Sequence, residues 1–216
     1  MKFGILFSGR GTNLQALLDA AADPGFPAQA AIAISNRADA GGLDRAARAG
    51  VPTAVVDHKA FPDRPAFERA LTERLEAAGV ELVCLAGFMR LLTPTFVDRW
   101  AGRALNIHPS LLPAFPGLDT HQRAIDAGAR FAGATVHFLS AEMDAGPIVA
   151  QAATPILPTD DAVSLAARVL EGEHEIYVRA LRWVAEGRVR IEGGRAVVDR
   201  ASADAAFYLP AKSARV

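Results

Sequence analysis

The sequence has little of several features that mark specialised classes of protein. Only one of its 216 residues is cysteine, so no internal disulfide can form and a reducing compartment such as the cytoplasm is expected. The formal net charge is −1, which gives no sign of a nucleic-acid or anionic-membrane partner. No apolar run approaches the roughly 20 residues that cross a bilayer. The start, MKFGILFSGRG, is broken by glycine too early to be a signal peptide.

The chain is long enough for one domain with a sizeable core, so we predict a single domain over residues 1–216. Up to residue 108, short apolar runs alternate with helical patterns, as in FGILF followed by LQALLDAAA. This alternation predicts an α/β fold, with a mostly parallel twisted sheet flanked by helices in the Rossmann-like manner.

The pattern changes after residue 108. GATVHFLS and GPIVAQAATPI are expected to be two strands joined by the turn AEMDAG, and residues 160–187 a long amphipathic helix that ends at Gly187. RVRIEGGRAVV predicts a small C-terminal hairpin. We place the core at about residues 1–186, and the hairpin with a loose tail at 187–216.

A glycine turn, SGRGTN, lies between the first predicted strand and the first helix. Such a junction exposes backbone N–H groups that favour an anion, and glycine allows a phosphate to approach closely. A dinucleotide fingerprint would need glycine where Leu14 stands, and no ATP-type P-loop is present. The turn therefore holds one phosphate group through Gly11, Thr12 and Asn13, with Thr12 also suited to be the helix N-cap, or it is a plain tight turn with a cap.

The stretch ALNIH ends a predicted parallel strand with two polar side chains. Alternation along the strand places Asn106 and His108 on one face, at the end of the sheet where ligands bind. An amide and an imidazole can both stabilise a carbonyl oxygen that gains charge. Asp144, in the turn before the last sheet strand, could hold His108 in its charged form if the turn folds over the strand end. The alternatives are a structural histidine and an Asx-turn aspartate.

Other residues give weaker indications of a functional site. The segment GFMRLL, residues 87–92, follows a predicted strand and is either a slot for a flat ring or a helix start. Thr135 and His137 share one face of their strand and could line a cleft, although a capped or core role is favoured for His137. His58 and His121 stand alone, and no cluster has the spacing of a metal site.

Six segments in combination resemble the phosphoribosylglycinamide formyltransferases, a folate-dependent family of purine synthesis. They are SGRGTNLQAL, SNRADAGGL, LAGFMRLL, GRALNIHPSLLPAFPGLDTH, GATVHF and MDAGPIVAQ. The resemblance runs to about residue 185. It implies a single formyltransferase domain that transfers a formyl group from 10-formyltetrahydrofolate to a glycinamide ribonucleotide, without a metal. We expect small-molecule substrates only, and a monomer or weak homodimer.

The resemblance also implies roles for individual residues. The catalytic residues would be Asn106, His108 and Asp144, and the phosphate would bind Gly11, Thr12 and Asn13, with Glu173 meeting the glycinamide. Folate would bind the residues Arg64, Met89, Arg90, Leu91, Leu92, Asn106, Ser140, Ala141, Glu142, Met143 and Asp144. The sequence departs from the family at Asp119, where relatives often carry histidine.

Two alternative functions share parts of this pattern. A formyltetrahydrofolate deformylase would hydrolyse the same folate, but that family has a further N-terminal domain and a different glycine turn. A folate- or nucleotide-binding module without activity would account for the pockets, but not for Asn106, His108 and Asp144 together.

Overall fold

The computed structural model describes residues 1–199 and the backbone of residues 207–208. The chain forms two compact units. Unit 1 comprises Met1–Asn106 and Phe138–Ala141, and unit 2 comprises Ile107–His137 and the chain from Glu142 onward. The single domain over residues 1–216 stays a prediction, and most of the expected loose tail lies outside the described residues.

Unit 1 alternates strands and helices along the chain. Its strands are β1 (Lys2–Phe7), β2 (Gln29–Ser35), β3 (Thr53–Val55), β4 (Leu82–Leu85) and the first part of β5 (Ala104–His108). Its helices are α1 (Thr12–Ala21), α2 (Gly42–Arg48), α3 (Arg64–Ala77) and α4 (Pro94–Arg99), with a 3₁₀ turn at His58–Ala60. The strands lie in the order β5-β4-β1-β2-β3, and each neighbouring pair is parallel, as predicted.

The core of unit 1 is built from the apolar runs of these elements. Leu6, Ile34 and Val83 come from three different strands, and Leu71 comes from α3; all four are fully buried. Cys84 in β4 is also fully buried, in keeping with its interpretation as a small core residue. Burial on both faces explains why these strands are almost continuously apolar.

Unit 2 contains the end of β5, followed by α5 (Thr120–Asp126), β6 (Phe131–Phe138), β7 (Ile148–Pro155) and α6 (Ala162–Ala185). β6 and β7 are antiparallel, as the two-strand interpretation of this region predicts. The short β10 (Phe207–Tyr208) pairs in parallel with β7. The predicted C-terminal hairpin is confirmed as β8 (Val189–Glu192) and β9 (Arg195–Val198).

Helix α6 is the longest element of unit 2. It begins with a capping box, in which the Ser164 N–H donates to Asp161 Oδ1 at 2.7 Å and the Asp161 N–H donates to Ser164 Oγ at 3.1 Å. The helix packs closely on β7, because a Cβ at Gly172 would lie 2.9 Å from Ala152 Cβ. No helix among residues 1–199 is both long and apolar enough to cross a bilayer.

Candidate active site

Strand β5 ends in the polar pair that the sequence singles out. Leu105 and Ile107 are buried, Asn106 is half-buried, and the alternation of the strand turns Asn106 and His108 to the opposite face from Ile107. His108 is 6% exposed, so its ring is held in a largely dry environment.

The structure brings His108 and Asp144 together. His108 Nδ1 lies 3.4 Å from Asp144 Oδ2, and the two side chains are 8% and 11% exposed. The Gly117 N–H donates to the same carboxylate oxygen at 2.8 Å, and His137 Nε2 lies 3.9 Å from Oδ1. Asp144 Oδ2 therefore has the Gly117 N–H and the His108 ring beside it, and the His137 ring lies beside Oδ1.

Backbone conformation contributes to this arrangement. Asp144 has a φ of 55°, in the left-handed region that aspartate tolerates better than most residues. Phe115 and Gly117 also have positive φ, at 54° and 81°. This loop geometry delivers the Phe115 carbonyl to 3.2 Å from His108 Nε2. Both ring nitrogens thus face oxygen acceptors, which suits an imidazole that carries two N–H groups.

Within unit 2, Thr135 of β6 holds the loop that follows β5. Thr135 Oγ1 donates to the Ser110 carbonyl at 2.7 Å and accepts from the Leu112 N–H at 3.0 Å. Gln151 Nε2 donates to Thr135 Oγ1 at 3.0 Å and to the Leu112 carbonyl at 2.9 Å. Thr135 is fully buried, so this residue, expected to line a cleft, instead holds the loop that follows His108.

His121, which the sequence leaves isolated, interacts with His108. Burial is the main cause that lowers the pKa of His121, and the charge of His108 lowers it further. No hydrogen-bond partner for its Nε2 occurs among the described residues. His121 is the second residue of α5, directly after the loop, and this position near a loop end is the one sequence signal that could have suggested the proximity. Asp119, the N-cap of α5, has a φ of 55° and no side-chain capping bond.

The glycine turn has a geometry that only glycine adopts readily. Gly11 has a φ of 73° and is the N-cap of α1, so the prediction that Thr12 is the N-cap is wrong; Thr12 is the first helical residue. A Cβ at Gly11 would lie 2.7 Å from Gly42 Cα. Arg45 Nε donates to the Arg10 carbonyl at 2.9 Å and helps to hold the turn. Asn13 is buried at the start of α1.

The folate residues expected in unit 1 lie mainly on exposed loops. Residues 89–92 form no helix start but an irregular segment between β4 and α4. Met89 and Leu91 are 70% and 60% exposed, whereas Leu92 is half-buried against the core. Arg64 begins α3 and is exposed, and the exposed Ala141 and half-buried Ser140 follow β6.

Unit 2 carries the remaining expected residues. Glu142 and Met143 are exposed beside Asp144, and Glu173 is 8% exposed on α6. Across the residues that the structure describes, no group of three or more His, Cys, Asp or Glu side chains has the arrangement of a metal site.

Comparison with known proteins gives a consistent result. Residues 1–181 match the family model described as "Formyl transferase". A phosphoribosylglycinamide formyltransferase from Haemophilus influenzae is 46% identical, over 92% of this chain and 93% of its own length. The solved structure of glycinamide ribonucleotide transformylase 1 from Symbiobacterium toebii superposes with a TM-score of 0.90 at 52% identity, covering 92% and 93% of the two chains.

A longer relative matches over the same region. The trifunctional purine biosynthetic protein adenosine-3 from Bos taurus is 47% identical over 90% of this chain, which spans only 19% of that protein. The family match covers both described units up to α6, and it includes the glycine turn, the end of β5 and Asp144. The chain has a mostly parallel α/β sheet, carries these residues in this order, and has relatives of similar length that are more than 40% identical to it. The chain therefore belongs to the formyl transferase family.

Proposed function

We propose that this protein transfers the formyl group of 10-formyltetrahydrofolate to the amine of 5'-phosphoribosylglycinamide. The products are formylglycinamide ribonucleotide and tetrahydrofolate, and the reaction belongs to de novo purine biosynthesis. The relatives of similar length carry the name of this activity. The observation that carries the proposal is the His108–Asp144 pair at the end of β5, 3.4 Å apart and largely buried.

The chemistry needs stabilisation of one transient negative charge. The neutral amine attacks the formyl carbon and forms the new C–N bond, while the carbonyl oxygen becomes an oxyanion. The bond from that carbon to N10 of the folate then breaks, and the proton lost by the amine ends on N10. Donors aimed at the oxyanion stabilise this intermediate more than they stabilise the substrates, and so lower the barrier.

His108 and Asn106 are the proposed donors. Asp144 occupies Nδ1 of His108, so Nε2 is the nitrogen left for the substrate oxygen. In the structure Nε2 contacts the Phe115 carbonyl at 3.2 Å, and the oxyanion, a stronger acceptor, would replace that contact. Asp144 keeps His108 positively charged and can receive the amine proton, directly or through water. The Asn106 amide supplies the second donor from the same strand.

The binding assignments follow the family resemblance and remain proposals. The glycine turn at Gly11, Thr12 and Asn13 would bind the phosphate, and Glu173 would meet the glycinamide. Arg64, residues 89–92 and residues 140–144 would bind the folate. The exposed apolar side chains of Met89 and Leu91 suit the flat face of a pterin ring.

We further infer that the protein works in the cytoplasm on small molecules, with no metal, nucleic-acid or membrane partner, as a monomer or weak homodimer. The modest net charge of −1 supports the absence of a polyanionic partner.

One assay distinguishes this activity from the two alternatives. Purified protein is mixed with 10-formyltetrahydrofolate, and loss of the formyl group is followed by absorbance with and without phosphoribosylglycinamide. A formyltransferase needs both substrates, and we expect turnover only when both are present. Turnover with the folate alone would indicate a deformylase, and no turnover in either mixture would indicate a binding module.

A further inference from the structure

Ser8 directly follows β1 as the first residue of the glycine turn SGRGTN, and it contacts the segment proposed to bind folate. The Ser8 N–H donates to the Gly87 carbonyl at 3.1 Å, and the Met89 N–H donates to Ser8 Oγ at 2.8 Å. Ser8 is 5% exposed, so these bonds are shielded from water. One residue therefore fastens the backbone on both sides of Phe88, at the start of the 89–92 segment.

The hydroxyl proton of Ser8 is directed by Asn36. Ser8 Oγ donates to Asn36 Oδ1 at 2.6 Å, and Asn36 Nδ2 lies 3.3 Å from His58 Nδ1. Asn36 is 2% exposed, directly after β2. With its proton pointing to Asn36, the Ser8 oxygen presents lone pairs to the Met89 N–H. Because Ser8 and Asn36 are both buried, the hydrogen bond between them fixes the orientation of the Ser8 hydroxyl.

Phe88 provides a second, apolar anchor in the same place. Its side chain is 9% exposed and stacks on Phe67 of α3, with ring centroids 6.4 Å apart and an interplanar angle of 10°. Beyond this anchor the chain turns outward, because Met89 is 70% exposed. The segment that begins at Met89 is thus positioned by buried contacts of Ser8 and Phe88.

We propose that Ser8 is a positioning residue for folate binding: its hydroxyl sets the backbone of Met89, and so the whole 89–92 segment, in the geometry that receives the pterin. This inference rests on the proposed folate-binding role of that segment. A ring held by backbone groups and apolar side chains is sensitive to small displacements, because misplacement of about 1 Å can cost about 100-fold in rate. Nothing in the sequence links Ser8 to Met89, which lies 81 residues further along the chain.

The test compares Ser8→Ala with a matched control, Ser35→Ala. Ser35 is fully buried at the end of β2, and its hydroxyl also makes two hydrogen bonds, donating to the Arg37 carbonyl at 2.9 Å and accepting from the Arg37 N–H at 3.0 Å. Ser35→Ala therefore also removes a buried hydroxyl that makes two hydrogen bonds, but this hydroxyl makes no hydrogen bond to residues 87–89. Titration calorimetry measures the Kd of each protein for tetrahydrofolate and for phosphoribosylglycinamide.

We expect Ser8→Ala to raise the Kd for tetrahydrofolate about 10-fold, corresponding to one buried hydrogen bond. The Kd for the ribonucleotide should change much less, because the glycine turn is held independently by the Gly42 N–H on the Gly9 carbonyl at 3.1 Å. Ser35→Ala should leave both Kd values close to those of the parent. Asn36→Ala, which removes the acceptor for the Ser8 hydroxyl, should raise the folate Kd in the same selective way.

Three results would overturn the inference. An unchanged folate Kd in Ser8→Ala and Asn36→Ala would show that the segment does not depend on Ser8. An equal rise in Ser35→Ala would show that the effect is not specific to the Ser8 hydroxyl. If the parent protein itself binds no tetrahydrofolate, the proposed function is wrong as well. Failure of the proposed function is thus distinguished from failure of the Ser8 inference, in which the parent binds tetrahydrofolate normally. If Ser8→Ala does not fold, Asn36→Ala alone decides between the outcomes.

Discussion

His108 Nδ1 lies 3.4 Å from Asp144 Oδ2, although 35 residues separate the end of β5 from the turn that carries the aspartate. The same carboxylate accepts the Gly117 N–H at 2.8 Å, so the loop after β5 and the turn before β7 meet on Asp144. In the proposed mechanism, this contact places the Asp144 carboxylate beside the ring that donates to the oxyanion. The proposed mechanism depends on this contact more than on any other.

Replacing Asp144 with asparagine tests that dependence. The amide keeps the size and can still accept the Gly117 N–H, but it lacks the negative charge that stabilises the cationic ring. We expect kcat to fall by about 10²–10⁴-fold, with substrate binding less affected. Steady-state kinetics on Asp144→Asn measures this loss, and Asp126→Asn, which changes an exposed carboxylate on α5, serves as the control.

The double variant tests whether the two residues act as a unit. His108→Ala combined with Asp144→Asn should be scarcely slower than the worse single variant, because each change alone already removes the cationic donor. Losses that multiply in the double variant would mean that the two side chains act separately.

Gly11→Ala should damage both stability and phosphate binding. The φ of 73° disfavours any L side chain, and the added Cβ would lie 2.7 Å from Gly42 Cα. We expect unfolding free energy to fall by more than about 1 kcal/mol and the KM for the ribonucleotide to rise more than that for the folate. Gly9→Ala is the stability control, since a Cβ there meets no atom within 4 Å. An unchanged ribonucleotide KM would exclude the turn from the site.

A negative charge in the 89–92 segment should weaken folate binding. Leu91 is the better position than Leu92, because Leu91 is 60% exposed whereas Leu92 packs against the core. Leu91→Asp should therefore fold normally and raise the folate KM at least ~10-fold, since a carboxylate against the ring would be desolvated without a partner. Met89→Leu should be tolerated. Val163→Asp, at an exposed position on α6, should change neither KM, and normal folate kinetics in Leu91→Asp would contradict the placement.

Two buried threonines should differ in how much stability they lose when the hydroxyl is removed. Thr135→Val leaves the Ser110 carbonyl and the Leu112 N–H without their partner, so we expect a loss of about 2–3 kcal/mol in unfolding free energy. Thr154 Oγ1 is buried and has no hydrogen-bond partner within the described chain, so Thr154→Val should be close to neutral. Urea denaturation of both variants measures the difference. Similar losses would show that the Thr135 bonds contribute little.

Asp160 should make the free energy of unfolding depend on pH in the acid range. Arg168 donates to its two oxygens at 2.7 and 2.5 Å, and these bonds lower the pKa of Asp160 to about 2. Because the folded pKa is below the unfolded one of about 3.9, the stabilisation is present above pH 4 and is lost as the pH falls through 2. Asp160→Asn should be less stable than the parent by about 2 kcal/mol at pH 7, and by about half as much at pH 3.

Urea denaturation at the two pH values measures this difference. Asp19→Asn, at an exposed site on α1, is the matched control and should show no such dependence on pH. A gap between Asp160→Asn and the parent that stays constant from pH 7 to pH 3 would contradict the prediction.

The sequence by itself determined the order of the strands and helices, and it showed two polar motifs, the glycine turn and the end of β5. Apolar runs of strand length alternate with helical patterns, and that periodicity is local, so β1 to β5 and α1 to α4 could be predicted where they occur. The pair Asn106 and His108 is likewise visible from strand alternation alone. A local error, Thr12 as N-cap, arose because Gly11 takes the left-handed conformation and the helix begins one residue earlier than predicted.

Only the tertiary structure decided which distant side chains meet. The contact of His108 with Asp144 depends on positive φ angles in two loops, and no periodic pattern encodes these. The proximity of His121 to His108 and the anchoring role of Thr135 are likewise set by the path of the loop after β5. Ser8 and Met89 meet because parallel strands β1 and β4 are neighbours and their carboxyl ends lie at the same edge of the sheet. Local periodicity specifies each strand, whereas pairing between strands brings their ends together.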